Sequence, residues 1–242
     1  MTPGGPHGRG QPGAQLGPLP PGGREGDVNL AEAVRSATTD EGWVWLAASL
    51  AEVVENPAAV GSAFPAAGRK VGRDPLAGAP PPGGGLFVWT VDDAARVLLL
   101  DALGQRVGEE IEPLYRHGDS AERRAVLRWI GRLGHRPAPA PALDIVEDAL
   151  RSNDPRLVAA ALGPWAVRHL DAHGFRQAVL KCVFMGVPLE GIDGLAERAD
   201  PELARMLAAY VDERVAAGRD VPGDVWPIIR RHRPGALLKD DG

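Results

Sequence analysis

With 242 residues, 44% of them apolar, the chain can bury one substantial core but cannot hold several large domains. Its net charge of −5 and pI near 5.7 run against the basic surface that nucleic-acid binding demands, so no nucleic acid is expected as a partner. The lone Cys182 excludes an internal disulfide, and the longest apolar run, around Val97 to Leu100, is broken by Arg96 and Asp101 well short of a membrane span. The N-terminus lacks the charged-then-apolar pattern of a signal peptide, and a single thiol suits a reducing compartment, so the expected location is cytoplasmic.

Residues 1–27 are dominated by glycine and proline, with almost no bulky apolar side chain beyond Leu16 and Leu19. Such a segment buries too little to offset its ordering entropy and reads as a disordered tail. A single helical domain is expected over 28–233, followed by a flexible C-terminal tail at 234–242. Within it, helical periodicity begins at Val28 to Thr38 and Glu41 to Glu55, with Asp40 placed to cap the second. Residues 57–86, which include Pro80-Pro81-Pro82-Gly83-Gly84-Gly85, read as a mobile loop. Thr90 and Asp93 have capping-box spacing ahead of Val91 to Leu103, whose apolar positions leave no room for a solvated face and predict a central helix. A short helix over Gly108 to Tyr115 follows. Asp119 or Ser120 then caps Ala121 to Leu133, which is expected to carry Arg123, Arg124 and Arg128 outward.

Pro137 to Pro141 alternates proline and alanine, a stiff extended spacer. Helices are then expected at Leu143 to Arg151, Pro155 to Leu162, Pro164 to Leu170, Phe175 to Met185 and Pro201 to Ala217. Asp154-Pro155 and Asp200-Pro201 each put a cap acceptor before a proline at the first helical position, and Gly163, Gly186 and Gly218 are the matching stops. No segment alternates with period two, and Phe87-Val88-Trp89 is too short to found a sheet. The fold class is therefore all-α, an irregular helical bundle or short HEAT-like α-solenoid without a fixed internal period.

Recognisable chemistry is sparse. Gly83-Gly84-Gly85 lacks the lysine of a phosphate-binding loop, and no serine sits in a nucleophile-elbow pattern. His169-x-Asp171-x-His173 has the spacing of paired metal ligands. Leu170 stands where a metalloprotease has its glutamate, and Gly174 is expected to stop the helix at once. The pair reads more simply as histidines near a helix end, so neither metal nor other cofactor is expected. Cys182, among Val179, Leu180, Val183 and Phe184, reads as an unreactive core thiol.

Lys181 is the only charged side chain between Gln177 and Glu190. It either snorkels to water or pairs, partly buried, with Glu197, Asp200 or Asp212. Arg151-Ser152-Asn153-Asp154 gathers four polar groups at one corner, as turn chemistry or as a ligand or partner surface.

Several stretches in order resemble the EboA family: Trp89 to Leu100, Arg151 to Asp154, Val179 to Leu189, Gly194 to Leu207 and Ala216 to Trp226. The resemblance implies a helical protein encoded beside prenyltransferase-like, cyclase-like, isomerase-like and hydrolase-like proteins, in a cluster that moves a metabolite precursor across the cytoplasmic membrane. It supplies no catalytic residue. Two readings follow. The leading one is a non-enzymatic adaptor or binding protein whose partners are other Ebo-type pathway proteins or a small metabolite. The rival is an enzyme or carrier that clamps a phosphorylated or prenylated metabolite through Arg151, Lys181 and Arg198; Asn153 is a further candidate for ligand or partner binding.

Overall fold

The computed structural model describes residues 30–77 and 81–232. The tails expected at 1–27 and 234–242 lie outside the described residues. Among the described residues thirteen α-helices follow one another, and the only β pairing there is an isolated bridge between Pro75 and Thr90. The chain is all-α, as its periodicity predicts.

The helices α1 (Leu30–Ala37) and α2 (Asp40–Glu55) come first. Thr39, rather than the expected Asp40, caps α2, its hydroxyl accepting the Gly42 N–H at 3.1 Å. Asp40 is already helical and pairs with Arg35 at 2.8 Å. The stretch expected to be loop from residue 57 is instead a 3-10 turn, Pro57–Ala59, and then α3 (Val60–Lys70). Glycine, alanine and Pro65 hide this helix from a periodicity search. Two features sustain it. Phe64 is fully buried, which stabilises by about 1.5–3 kcal/mol, and the carbonyl deprived of its donor by Pro65 belongs to exposed Gly61, where water can reach it.

α4 (Val91–Ala102) is the axis of the molecule: every residue from Val91 to Leu100 is buried, including Asp92, Asp93 and Arg96. α1, α2 and α3 pack on it from one side, and α6 (Ser120–Arg132) from another. α5 (Val107–His117) leads into α6. Asp119 caps α6 by accepting the Ala121 and Glu122 N–H groups at 2.8 and 2.9 Å, and Glu122 reaches back to the Asp119 N–H.

α7 (Ala142–Arg151), α8 (Pro155–Ala161) and α9 (Pro164–His169) follow as short helices, with Asp154 capping α8. α8 and α9 both pack on α6. Here two glycines meet: a methyl group added to Gly163 would lie 2.9 Å from the Gly131 Cα, so position 163 has no room for a side chain. Gly163 has an ordinary negative φ of −69°, so its role is this close approach and not a left-handed stop.

α10 (Ala172–Met185) starts earlier than expected. Asp171 caps it, accepting the Gly174 N–H at 2.6 Å, so Gly174 lies in the first turn of a helix instead of ending one. Gly186 does end it, in the left-handed region at φ 70°, with the Val187 N–H donating to the Cys182 carbonyl at 2.9 Å. α11 (Leu195–Arg198), α12 (Pro201–Ala216) and α13 (Trp226–His232) complete the chain, with Asp200 capping α12. α11 and α13 carry no strong sequence signal, being one and two turns long.

Candidate functional site

A cleft of about 490 Å³ opens between α6, the α8–α9 corner and the strap at residues 86–89. That volume falls within the range of small-molecule sites, about 300–1,000 Å³. The strap is tied down at its far end: the Leu76 N–H donates to the Trp89 carbonyl at 2.8 Å and the Val91 N–H to the Asp74 carbonyl at 2.9 Å. The Phe87 ring lies against Gly191, where an added Cβ would stand 2.2 Å from it. Glycine at 191 is thus what lets the strap close down on the body of the protein.

One wall is apolar, formed by Leu86, Phe87 and Trp89. The Gly131–Gly163 contact and Pro164 line another part of the cleft. Leu133, Ala159, Ala160 and Leu162 extend the apolar lining, and the charged groups are Arg128, Arg132, Arg136 and Arg168 against the single carboxylate of Asp193. Arginine keeps its proton at any physiological pH, so these groups supply fixed positive charge and forked donors and no proton transfer. Such a lining offers cationic donors beside an apolar surface.

Behind it lies a buried ionic network that holds Arg128. Asp93, wholly buried, pairs with Arg124 at 3.0 Å and with Arg128 at 3.0 Å. It also accepts the Thr90 N–H at 3.2 Å, as the capping-box spacing predicts, and the Thr90 hydroxyl at 2.8 Å. Arg128 donates to the Val88 carbonyl at 2.7 Å and stacks over Trp89 at 4.9 Å. Burial lowers its pKa to about 10, with Asp93 opposing, and it remains a cation. The expectation that Arg124 and Arg128 face solvent is corrected by this network, since Asp93 draws both toward α4. One turn deeper, Arg96 is fully buried, bonded to Asp92 at 2.5 Å and to the Phe64 carbonyl at 3.0 Å, with one guanidinium nitrogen unpartnered.

The residues singled out from sequence lie elsewhere. Arg151 is exposed at the end of α7, 3.5 Å from Asp148, on a smaller acidic cleft that also takes in Tyr115 and Glu112. Asn153 is exposed in the following turn. Lys181 is half-buried on α10 and has no ion pair among the described residues. Asp200, one of its expected partners, is held by Arg176 at 2.5 Å. Arg198 donates to the carbonyls of Val167 and Leu170 and stacks on Phe175 at 4.5 Å, which pins α11 to the α9–α10 turn. Lys181 and Arg198 line neither cleft, so Arg151, Lys181 and Arg198 share no concavity among those described.

His169 and His173 stand on different helices. His169 ends α9, stacked on Trp165 with ring centroids 4.0 Å apart and Nδ1 at 2.8 Å from the Trp165 carbonyl. His173 is exposed in the first turn of α10, and no cluster of three metal-ligating side chains occurs among the described residues. Cys182 is fully buried, and burial pushes its thiol pKa up to about 12, with Asp224 adding to the shift.

The described residues thus form an all-helical framework around a cleft with aromatic and arginine side chains in its lining. Residues 82–230 match the EboA family, described as metabolite traffic protein EboA. The chain belongs to that family, and membership supports a metabolite-handling role. The match takes in α4 to α12, most of α13 and every residue that lines the cleft. No curated protein and no solved structure matches the chain.

Proposed function

We propose that the chain is a non-enzymatic binding protein that holds a small metabolite in the cleft between α6, the α8–α9 corner and the 86–89 strap, within a pathway that handles or exports a secondary-metabolite precursor. The observation that carries this reading is the four-arginine, aromatic-walled cavity of about 490 Å³. Its chemistry is that of retention: fixed cations, apolar surface and glycine-shaped space.

The test is direct. Protein purified from cells that produce it is denatured, and the released small molecules are weighed by mass spectrometry. The half-buried Ala160 lines the cleft, and Ala160→Trp fills it with an indole. The expected result is a molecule released by the parent and absent from Ala160→Trp, with both proteins melting at similar temperatures. Equal release from both would remove the cleft from the account.

A second reading, the adaptor, is favoured by a different observation. Phe184 on α10 is 65% exposed, touching Tyr210 of α12 edge-on at 5.0 Å, and Val215 farther along α12 is 54% exposed. Lys181 stands one turn before Phe184 on the same flank of α10. A partner helix with apolar and acidic side chains would suit that face. Pull-down with Phe184→Ser and Lys181→Met should lose a pathway protein that the parent retains. Retention by both variants counts against this surface.

A further inference from the structure

Resting on the reading of the cleft as a small-molecule site, we infer that its ligand is a soluble phosphate monoester with a flat apolar body. The charge comes first. Arg128, Arg132 and Arg136 recur every fourth residue along α6 and the turn that continues it. That spacing puts Arg128 and Arg132 on one flank of α6, and Arg136, past the left-handed turn at Gly134, lines the same cleft. Arg128 is already neutralised by Asp93 at 3.0 Å. Arg132 and Arg136 have no ion-pair partner among the described residues, and the Arg132 Nε is buried without a hydrogen-bond acceptor. Asp101 lies near enough to be influenced by both charges, yet it accepts from the Trp129 indole at 2.8 Å and forms no ion pair with either arginine. Asp193 is exposed at the cleft.

Both guanidiniums line the cleft without an ion pair among the described residues, so an anion that enters can meet their free donors. A carboxylate brings one charge and two oxygens, enough for one fork. A phosphate monoester brings a charge of about −1.5 to −2 at pH 7 and three acceptor oxygens, enough for two. The rest of the cavity sets the ester's other half. The Phe87 ring lies against Gly191, and at Gly131 and Gly163 the α6 and α9 backbones meet without a side chain between them. A flat body fits between these surfaces, and a cavity of about 490 Å³ suits a ring system far better than a pair of acyl chains.

Isothermal titration of the full chain with five probes tests the class: 1-naphthyl phosphate, 1-naphthoate, 1-naphthol, inorganic phosphate and vesicles containing phosphatidic acid. Naphthyl phosphate should bind at least tenfold tighter than each of the others. Arg132→Gln and Arg136→Gln should each weaken it by about tenfold, the loss of one charge-assisted hydrogen bond. Arg205→Gln, on α12 and paired with Glu202, should leave it unchanged. Melting curves confirm that each variant is folded. Naphthoate or naphthol binding as tightly as the ester, and lost in Ala160→Trp, overturns the phosphate while leaving the cleft standing. Ester binding that ignores both glutamine variants overturns it by placing the anion elsewhere, and tighter binding to vesicles overturns it in favour of a membrane phosphate. Silence with every probe also overturns the phosphate class, whereas the cleft itself stands or falls with the copurification from Ala160→Trp.

Discussion

Removing Asp93 tests the buried network from which the cleft is built. Its carboxylate is wholly inaccessible and faces two guanidiniums, Arg124 with 13% of its side chain exposed and Arg128 with 6%. Asp93→Ala strands them unequally. Arg124 can swing its head toward water, but Arg128 is fixed by the Val88 carbonyl at 2.7 Å and the Trp89 ring and must stay buried. Breaking a buried pair by deleting one partner costs about 3–5 kcal/mol, and the lost acceptor for the Thr90 N–H and hydroxyl adds about 0.5–1.5 kcal/mol. Against a total stability of about 5–15 kcal/mol for a domain, this is a large share. Chemical denaturation should show a loss of at least about 3 kcal/mol. The double variant Asp93→Ala with Arg128→Met should recover part of it, with a coupling of about 1–3 kcal/mol. A loss below about 1 kcal/mol, or strict additivity with Arg128→Met, would mean that the network is hydrated and that Arg128 is not held in place by Asp93.

Other outcomes follow from single features. Gly186→Val should destabilise by about 1 kcal/mol or more through its left-handed φ of 70° alone, since nothing crowds the site; an unchanged melt would place the end of α10 elsewhere. The Cys182 thiol, pushed up to about 12 by burial, should resist a thiol reagent at pH 8 until denaturant is added, and prompt labelling of the native protein would show that α10 opens. Lys181→Met should change stability by no more than about 0.5 kcal/mol, because no acid pairs with it among the described residues; a loss near 3 kcal/mol would point to a partner ion that forms in solution.

Much of the fold was legible because its signals are local. Asp154-Pro155, Asp200-Pro201 and the Asp119–Glu122 box mark helix starts wherever they occur, and the unbroken apolar character around Val97 marks α4 as central. α3 was hidden because Gly61, Pro65 and the alanines carry no periodicity. Its support is the burial of Phe64 against the Arg96 guanidinium, a contact between positions 32 residues apart.

The cleft escaped for the same reason. Phe87, Arg132 and Gly163 are far apart in sequence, and no spacing rule joins them. One clue was present: Asp92, Asp93 and Arg96 stand in a helix with no room for a solvated face, which requires buried countercharges from another helix. The arginines of α6, four residues apart, were the candidates. Lys181 is isolated in sequence, yet isolation along a helix says nothing about what faces it in space.

The most direct test of the account is the structure of the complex with whatever small molecule the protein carries. The account predicts that molecule between the 86–89 strap and the Gly131–Gly163 contact, its anionic group within hydrogen-bonding distance of Arg132 and Arg136. Its appearance on the Phe184–Tyr210 face of α10 and α12, or in the acidic cleft beside Arg151, would contradict it.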